Sequence, residues 1–374
     1  MTVDCPLQPE FGSSAYMNKV FDHACKSRLP VFGAIDLTYR CNLRCVHCYA
    51  GHLVAQPKPR ANELSTEEVV RLLTEAADAG CMFMLLTGGE PLLRDDFLDI
   101  YQAGKRLGLI VSVFTNGTLV DESHAEVFRD LPPHVVEVSV YGASEQTSAR
   151  VTGRPGTHAR VRRGVELLLE AGVPVILKTM ILRDNLHEVH SIEQWARDLG
   201  VRFRMDPVVT PRLDGDLGPL EQRVDPETAV EVELADTTRR AELGLYLEGQ
   251  RARNVEATLP PTRIYRCGAG LASFHLDPAG YIHPCLMSRT IAYNTAALGF
   301  FRGWKAVTEA VDGATWEGRG GCAECQDFLV CGYCPGLFEL EGASPANPPE
   351  YLCRLGASRK SVVASGRHEV TGVR

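Results

Sequence analysis

Cys41, Cys45 and Cys48 stand at C-x3-C-x2-C spacing directly after the apolar run 31–37. An apolar run that opens into such a loop reads as a buried strand delivering three thiols to one place. Soft thiolates select iron–sulfur clusters or zinc over hard cations. A closed structural zinc site wants a fourth ligand nearby. His47 is the one local candidate, and lying between Cys45 and Cys48 it is poorly placed to close a tetrahedron with both. Three thiolates can instead hold three irons of a cubane and leave the fourth iron for something that reacts.

Continued through His47, Cys48 and Tyr49, this loop resembles the signature of the radical S-adenosylmethionine (SAM) superfamily, with His47 where an aromatic usually stands. The resemblance implies a [4Fe–4S] cluster on Cys41, Cys45 and Cys48, whose open iron chelates the amino and carboxylate groups of SAM. It also implies reductive cleavage of SAM to a 5′-deoxyadenosyl radical that abstracts hydrogen from a substrate. Tyr49 is counted among its cofactor contacts. The competing reading of the loop is a zinc knuckle.

The remaining composition is consistent with this chemistry. A chain of 374 residues has room for about two domains. A net charge of −8 argues against a nucleic-acid partner, which asks for a basic face. No signal peptide opens the chain, and no apolar run is long enough for a membrane span, so a cytoplasmic protein with no membrane partner is expected. Thirteen cysteines in such a chain read as metal ligands rather than disulfides. Cys81 reads as a small buried hydrophobe. Cys5 and Cys25 lie in the N-terminal extension with no assigned role.

Residues 1–30, punctuated by proline, read as a strap against the body. From 31 to 211 strand signals at 31–37, 82–86, 110–114, 135–140, 175–181 and 201–205 alternate with helical patterns. The pattern 65–79 opens on a capping box, Ser65 with Glu68, and ends at Gly80. The patterns 161–171 and 187–199 end similarly at Gly172 and Gly200. Too few units for a closed eight-fold barrel, they predict an α/β fold with a partial (β/α)6 TIM-like barrel. Its chemistry belongs at the carboxyl ends of the strands. A polar helical connection at 212–262, clearest over 225–243, reaches Pro260-Pro261. Beyond it, 263–360 is rich in cysteine and glycine with short strand signals and little helical periodicity, and 361–374 is a tail. This reads as a small cysteine-rich α+β domain.

Thr87-Gly88-Gly89-Glu90-Pro91 closes the second strand, where glycines let a backbone approach a ligand. It matches the superfamily's GGE motif, and the resemblance places Gly88, Gly89 and Glu90 at the SAM amino group. It likewise makes Asn116 and Ser139, at the ends of the third and fourth strands, candidates for the ribose hydroxyls and carboxylate of SAM. The alternative for both is an ordinary turn asparagine and strand serine. Lys178 faces either the barrel mouth or solvent. Arg160, Arg162 and Arg163 read as a solvated helix face.

The second half resembles the SPASM extension of radical SAM enzymes. Cys267 is followed by Gly280 and Cys285, then Cys322-x2-Cys325-x5-Cys331-x2-Cys334, and finally Cys353. The resemblance implies two auxiliary [4Fe–4S] clusters: one on Cys322, Cys325, Cys331 and Cys353, the other on Cys267, Cys285 and Cys334. In the family three residues usually precede the last cysteine of the central run, and here only Gly332 and Tyr333 do. His275, Asp277 and His283 are possible completions of the three-cysteine cluster, which otherwise keeps an open iron. C-x2-C pairs also suit structural zinc.

SPASM enzymes typically modify ribosomally made peptides, so the resemblance implies a peptide substrate undergoing crosslinking or oxidation. It further implies a reductant such as flavodoxin or ferredoxin and a separate leader-peptide-binding protein. The alternatives are a radical SAM enzyme acting on a small molecule in cofactor, haem or antibiotic biosynthesis, and a zinc-stabilised interaction protein without catalysis.

Overall fold

The computed structural model describes residues 15–54, 63–252 and 262–366. Cys5 and Pro260-Pro261 lie outside the described residues. In chain order the elements are α1 (Ala15–Ser27), β1 (Phe32–Asp36), α2 (Gly51–Val54), α3 (Thr66–Asp78), β2 (Phe83–Thr87), α4 (Phe97–Arg106), β3 (Ile110–Thr115), α5 (Glu122–Asp130) and β4 (Val135–Ser139). Then come α6 (Glu145–Thr152), α7 (Thr157–Glu170), β5 (Val175–Met180), α8 (Val189–Asp198), β6 (Arg202–Asp206), α9 (Pro226–Glu233) and α10 (Thr237–Ala252). The last part holds β7 (Ser273–Leu276), β8 (Tyr281–His283), β9 (Tyr293–Asn294), α11 (Thr295–Leu298), α12 (Phe300–Gly313), α13 (Pro335–Leu340) and α14 (Glu350–Gly366).

All six expected strands form, and each pairs in parallel with the next, from β1 with β2 to β5 with β6. Together they make the partial barrel. Along the strands one parity is apolar: Ile35, Met84, Leu86, Val111, Val113, Val136, Val138 and Leu177 join the buried cluster under the helices. The opposite parity is largely polar. Register sets Asp36 beside Thr87, Phe114 beside Glu137, Ser139 beside Lys178, and Lys178 beside Arg204. Alternation of this kind follows from the two-residue side-chain period, and it lines the barrel interior with charge and hydroxyls.

Local signals explain the helix ends. Ser65 accepts from the Glu68 N–H while Glu68 accepts from the Ser65 N–H, so the capping box at α3 is complete. The polar connection resolves into α9 and α10, and α9 packs on α14. Arg162 stacks on the Trp195 ring at 4.7 Å, so that member of the basic triplet is not simply solvated. Cys81 is buried as expected.

Two features differ from the sequence reading. The cysteine-rich half has substantial helix: α12 runs 14 residues and α14 runs 17. Helix α12 buries Phe300, Trp304, Val307 and Val311 on one face, a helical period interrupted by glycines that mask it in sequence. The second half is also continuous with the barrel. The sheet has nine strands in the order β6-β5-β4-β3-β2-β1-β7-β8-β9, with β7 parallel to β1 and β8 and β9 antiparallel beyond it. Phe274 of β7 packs edge-on against Phe300 at 4.8 Å, closing α12 over this extension.

Candidate functional site

The cysteine loop leaves the carboxyl end of β1 and is held from several sides. The Arg44 and Val46 N–H groups donate to Thr152 and Val151 carbonyls at 2.8 and 2.9 Å, fixing the loop to the end of α6. The Leu43 N–H points at Cys41 Sγ at 3.4 Å, and Asn116 Nδ2 lies 3.8 Å from the same sulfur. Asn116 Nδ2 also donates to Asn42 Oδ1 at 2.9 Å, and Asn42 Nδ2 donates to Thr118 Oγ1 at 2.7 Å. The asparagine at the end of β3 therefore touches the cysteine loop directly. N–H groups aimed at sulfur favour thiolate, the form that binds iron.

Cys41, Cys45 and Cys48 sit deep in the fold yet keep accessible surface. Burial pushes the Cys41 thiol up to about 12 and raises Cys45 and Cys48 as well. Cys41 and Cys45 also feel the charge of neighbouring cysteines on the same loop, which a cluster cation would relieve. The donor set and its N–H contacts fit a thiolate-bound iron–sulfur cluster. His47 packs edge-on against Tyr141 at 4.6 Å, and burial, with Lys178 adding, lowers it to about 4. It is a neutral packing residue in the aromatic's position. Tyr49 packs against Leu213, Leu286 and Met287, linking the loop to the second half of the chain.

The Gly88-Gly89-Glu90 turn braces the loop's start. Gly89 and Glu90 N–H groups donate to Thr38 and Arg40 carbonyls at 2.7 and 2.8 Å. Gly88 has φ +140°, and a Cβ there would collide with the Thr38 carbonyl oxygen. Gly88→Ala is expected to cost about 3–5 kcal/mol through clash and backbone strain, read as a lower urea midpoint.

Glu90 is completely buried, and its carboxylate accepts from the Leu92 N–H, the Thr115 hydroxyl and the Asn116 N–H at 3.1, 2.7 and 2.7 Å. It thereby positions Asn116. Burial still wins over these donors and pushes Glu90 up to about 7. A raised carboxyl contributes stability that is complete below its unfolded value and is lost as pH rises through the folded one. The loss is on the order of 3 kcal/mol between about pH 4.3 and about pH 7. Glu90→Gln removes that dependence, so the variant's unfolding free energy between about pH 5 and about pH 8 is expected to fall less than wild type's.

Ser139 lies beside Tyr141 at the end of β4. Together with Asn116, Leu43 and Ser148 it lines one small pocket beside the loop. Lys178 takes the interior choice: its ammonium lies 4.6 Å over the Phe114 ring. Arg204 faces Glu137 at 3.5 Å in the same interior. The sequence reading did not name Glu137 or Arg204: Glu137 sits alone in an apolar run, and Arg204 alternates with Arg202 and Asp206. Strand parity is the signal that finds them.

The second half brings its cysteines into two groups. Burial first, and then neighbouring cysteines of this set, push Cys322 up to about 11 and Cys331 up to about 12 and raise Cys353 as well, Cys325 acting on all three. Gly356 of α14 lets that helix approach the Cys331 Cβ, where an added Cβ would stand at 2.8 Å. Cys267 and Cys285 form the other group. Cys334 caps α13, its sulfur 3.4 Å from the Leu337 N–H, and it packs on the same apolar cluster as Cys285. Of the possible completing ligands, His283 Nε2 contacts Asp277 at 3.4 Å, Arg289 contacts the same carboxylate at 3.6 Å, and His275 faces Asp36 at 3.2 Å. These side chains form a buried polar chain between β8 and β1.

A parallel partial barrel whose first strand runs into a loop of three thiols defines a class. Residues 35–196 match the model of the radical SAM superfamily. A match to that superfamily implies a SAM-binding [4Fe–4S] cluster and SAM itself. The chain is 36% identical to an AdoMet-dependent heme synthase of Methanosarcina barkeri over 45% of its length and 47% of the relative's, so it spans about half of that protein. It is 27% identical to the heme synthase of Oleidesulfovibrio alaskensis over 87% of this chain and 88% of that one. It is likewise 27% identical to the PqqA peptide cyclase of Rhizobium meliloti, over 70% and 69%. Among solved structures, Streptococcus suis SuiB bound to S-adenosylmethionine shares the fold at TM-score 0.64 and 16% identity, over 92% of this chain and 84% of SuiB. Among the described residues no helix is long and apolar enough to cross a membrane.

Proposed function

We propose that this chain is a radical SAM enzyme of the SPASM type that modifies a peptide by crosslinking or oxidation. The observation that carries it is a pair of further cysteine groups in the second half of the chain, whose strands continue the barrel sheet. Cys41, Cys45 and Cys48 hold the SAM-binding cluster. Gly88, Gly89 and Glu90 flank the SAM amino group, with Asn116, Ser139 and Tyr49 around the rest of the cofactor. Cys322, Cys325, Cys331 and Cys353 hold one auxiliary [4Fe–4S] cluster, and Cys267, Cys285 and Cys334 hold the other. The barrel then spans about 31–211 and the SPASM domain about 263–360, with a helical connection between them.

A [4Fe–4S] cluster held by Cys41, Cys45 and Cys48 would supply reductive cleavage of SAM and, through it, hydrogen abstraction from the substrate. The chain's own residues orient and exclude water. Asn116, fixed by Glu90, holds the cysteine loop, and the Tyr141–His47 pair packs dryly behind it. Lys178 and Arg204 offer cationic anchors inside the barrel for a carboxylate on the substrate. A small reductant such as flavodoxin or ferredoxin supplies the electron, and a separate leader-binding protein presents the peptide.

The peptide is favoured by kinship with the PqqA peptide cyclase and by a fold shared with SuiB, which has also been solved bound to its precursor peptide SuiA. Kinship with the heme synthases favours a second reading, a tetrapyrrole or other small-molecule substrate. Anaerobic reconstitution with SAM, dithionite and candidate peptides tests the choice by mass spectrometry. A peptide mass change supports the first reading. Unchanged peptides beside an altered iron–coproporphyrin support the second.

A further inference from the structure

One cysteine outside both groups lies against the incomplete one. Helix α1 crosses the turn that follows Cys267, and Phe21 occupies the space above Gly268, where an added Cβ would stand 2.8 Å from the Phe21 ring. Cys25 comes one helical turn after Phe21, on the same face. It packs against the same buried cluster as Cys267 and Cys285. Burial, with Cys267 the next cause, pushes its thiol up to about 12. The end of α1 is anchored to α12: Trp304 Nε1 donates to the Arg28 carbonyl at 2.8 Å, and Arg28 pairs with Asp312 at 2.8 Å. Cys25 is therefore held over this cysteine group by fixed elements. His283 is engaged at both ring nitrogens, by the Ile291 carbonyl at 3.1 Å and Asp277 at 3.4 Å, while His275 faces Asp36 at 3.2 Å without a hydrogen bond at either ring nitrogen.

Resting on the auxiliary-cluster reading above, we infer that Cys25 is the fourth protein ligand of the cluster held by Cys267, Cys285 and Cys334. On binding, the thiol releases its proton to solvent and its sulfur displaces an exchangeable ligand from iron, with no change in electron count. A cluster closed in this way passes electrons and does not grip substrate.

The full-length chain carrying Cys41→Ala, Cys45→Ala and Cys48→Ala isolates the auxiliary clusters for the test. Reconstituted anaerobically, it is expected to hold about eight irons per chain and to give a reduced electron paramagnetic resonance spectrum that added imidazole leaves unmoved. Adding Cys25→Ala is expected either to remove about four irons or to give a spectrum that imidazole shifts. Cys25→Ser, nearly isosteric, serves if the alanine variant fails to fold, and circular dichroism reports folding; its harder oxygen ligand should still move the spectrum. An unchanged iron count and an unmoved spectrum in these variants would overturn the inference, as would imidazole sensitivity with Cys25 intact. A background chain that takes up no iron overturns the auxiliary-cluster reading itself, and is distinguishable because it fails before Cys25 is altered.

Discussion

Cys45→Ala is expected to lower iron by about four atoms per chain and to abolish 5′-deoxyadenosine formation from SAM and dithionite. The reasoning is coordinative. A cubane held by three thiolates has no spare protein ligand, so losing one leaves two iron corners to solvent and the cluster is shed. The loop contains no substitute, because His47 is packed on Tyr141 at 4.6 Å. The backbone should survive, since the loop is pinned through Arg44 and Val46 N–H groups rather than through its sulfurs. Normal SAM cleavage by a folded Cys45→Ala chain would refute the assigned site. Iron analysis and chromatography of the nucleoside together read the result.

Cys325→Ala is expected to separate the two halves of the chemistry. Cys325 is exposed in the second half, with its sulfur 3.4 Å from the Asp327 N–H, and it belongs to the four-cysteine group. Its loss should cost about four irons while the barrel site stays intact. Formation of 5′-deoxyadenosine should then continue within about tenfold of wild type while modified substrate falls at least about a hundredfold, because the electron left after hydrogen abstraction has no acceptor. Parallel loss of both products would mean that the second half supports SAM cleavage itself. Full product formation would mean that the four-cysteine group is structural.

Much of this was legible in the chain. Near-continuous apolar runs located most of the six barrel strands, and the Ser65–Glu68 pair marked its helix start, because burial and capping are local signals. The cysteine loop and the Gly-Gly-Glu turn were equally plain. What escaped was non-local. Lys178 could face the barrel mouth or solvent until strand register set it beside Arg204. Helix α12 was hidden because Gly303 and Gly313 dilute its pattern, although its buried side is regular. Cys25 lies far from its neighbours in sequence, and only the packing of Phe21 over Gly268 brings it to them. The role of Glu90 changed in emphasis for the same reason: its donors Thr115 and Asn116 arrive from another strand.

The pairing of β7 with β1 carries a practical consequence. A version shortened to the barrel alone would leave Phe32, Gly33, Ala34 and Ile35 with a raw row of unspent amide and carbonyl groups, on the very strand that feeds the metal loop. Such a fragment should cling to copies of itself rather than behave as a smaller enzyme, and its metal loop should be the first part to lose its shape.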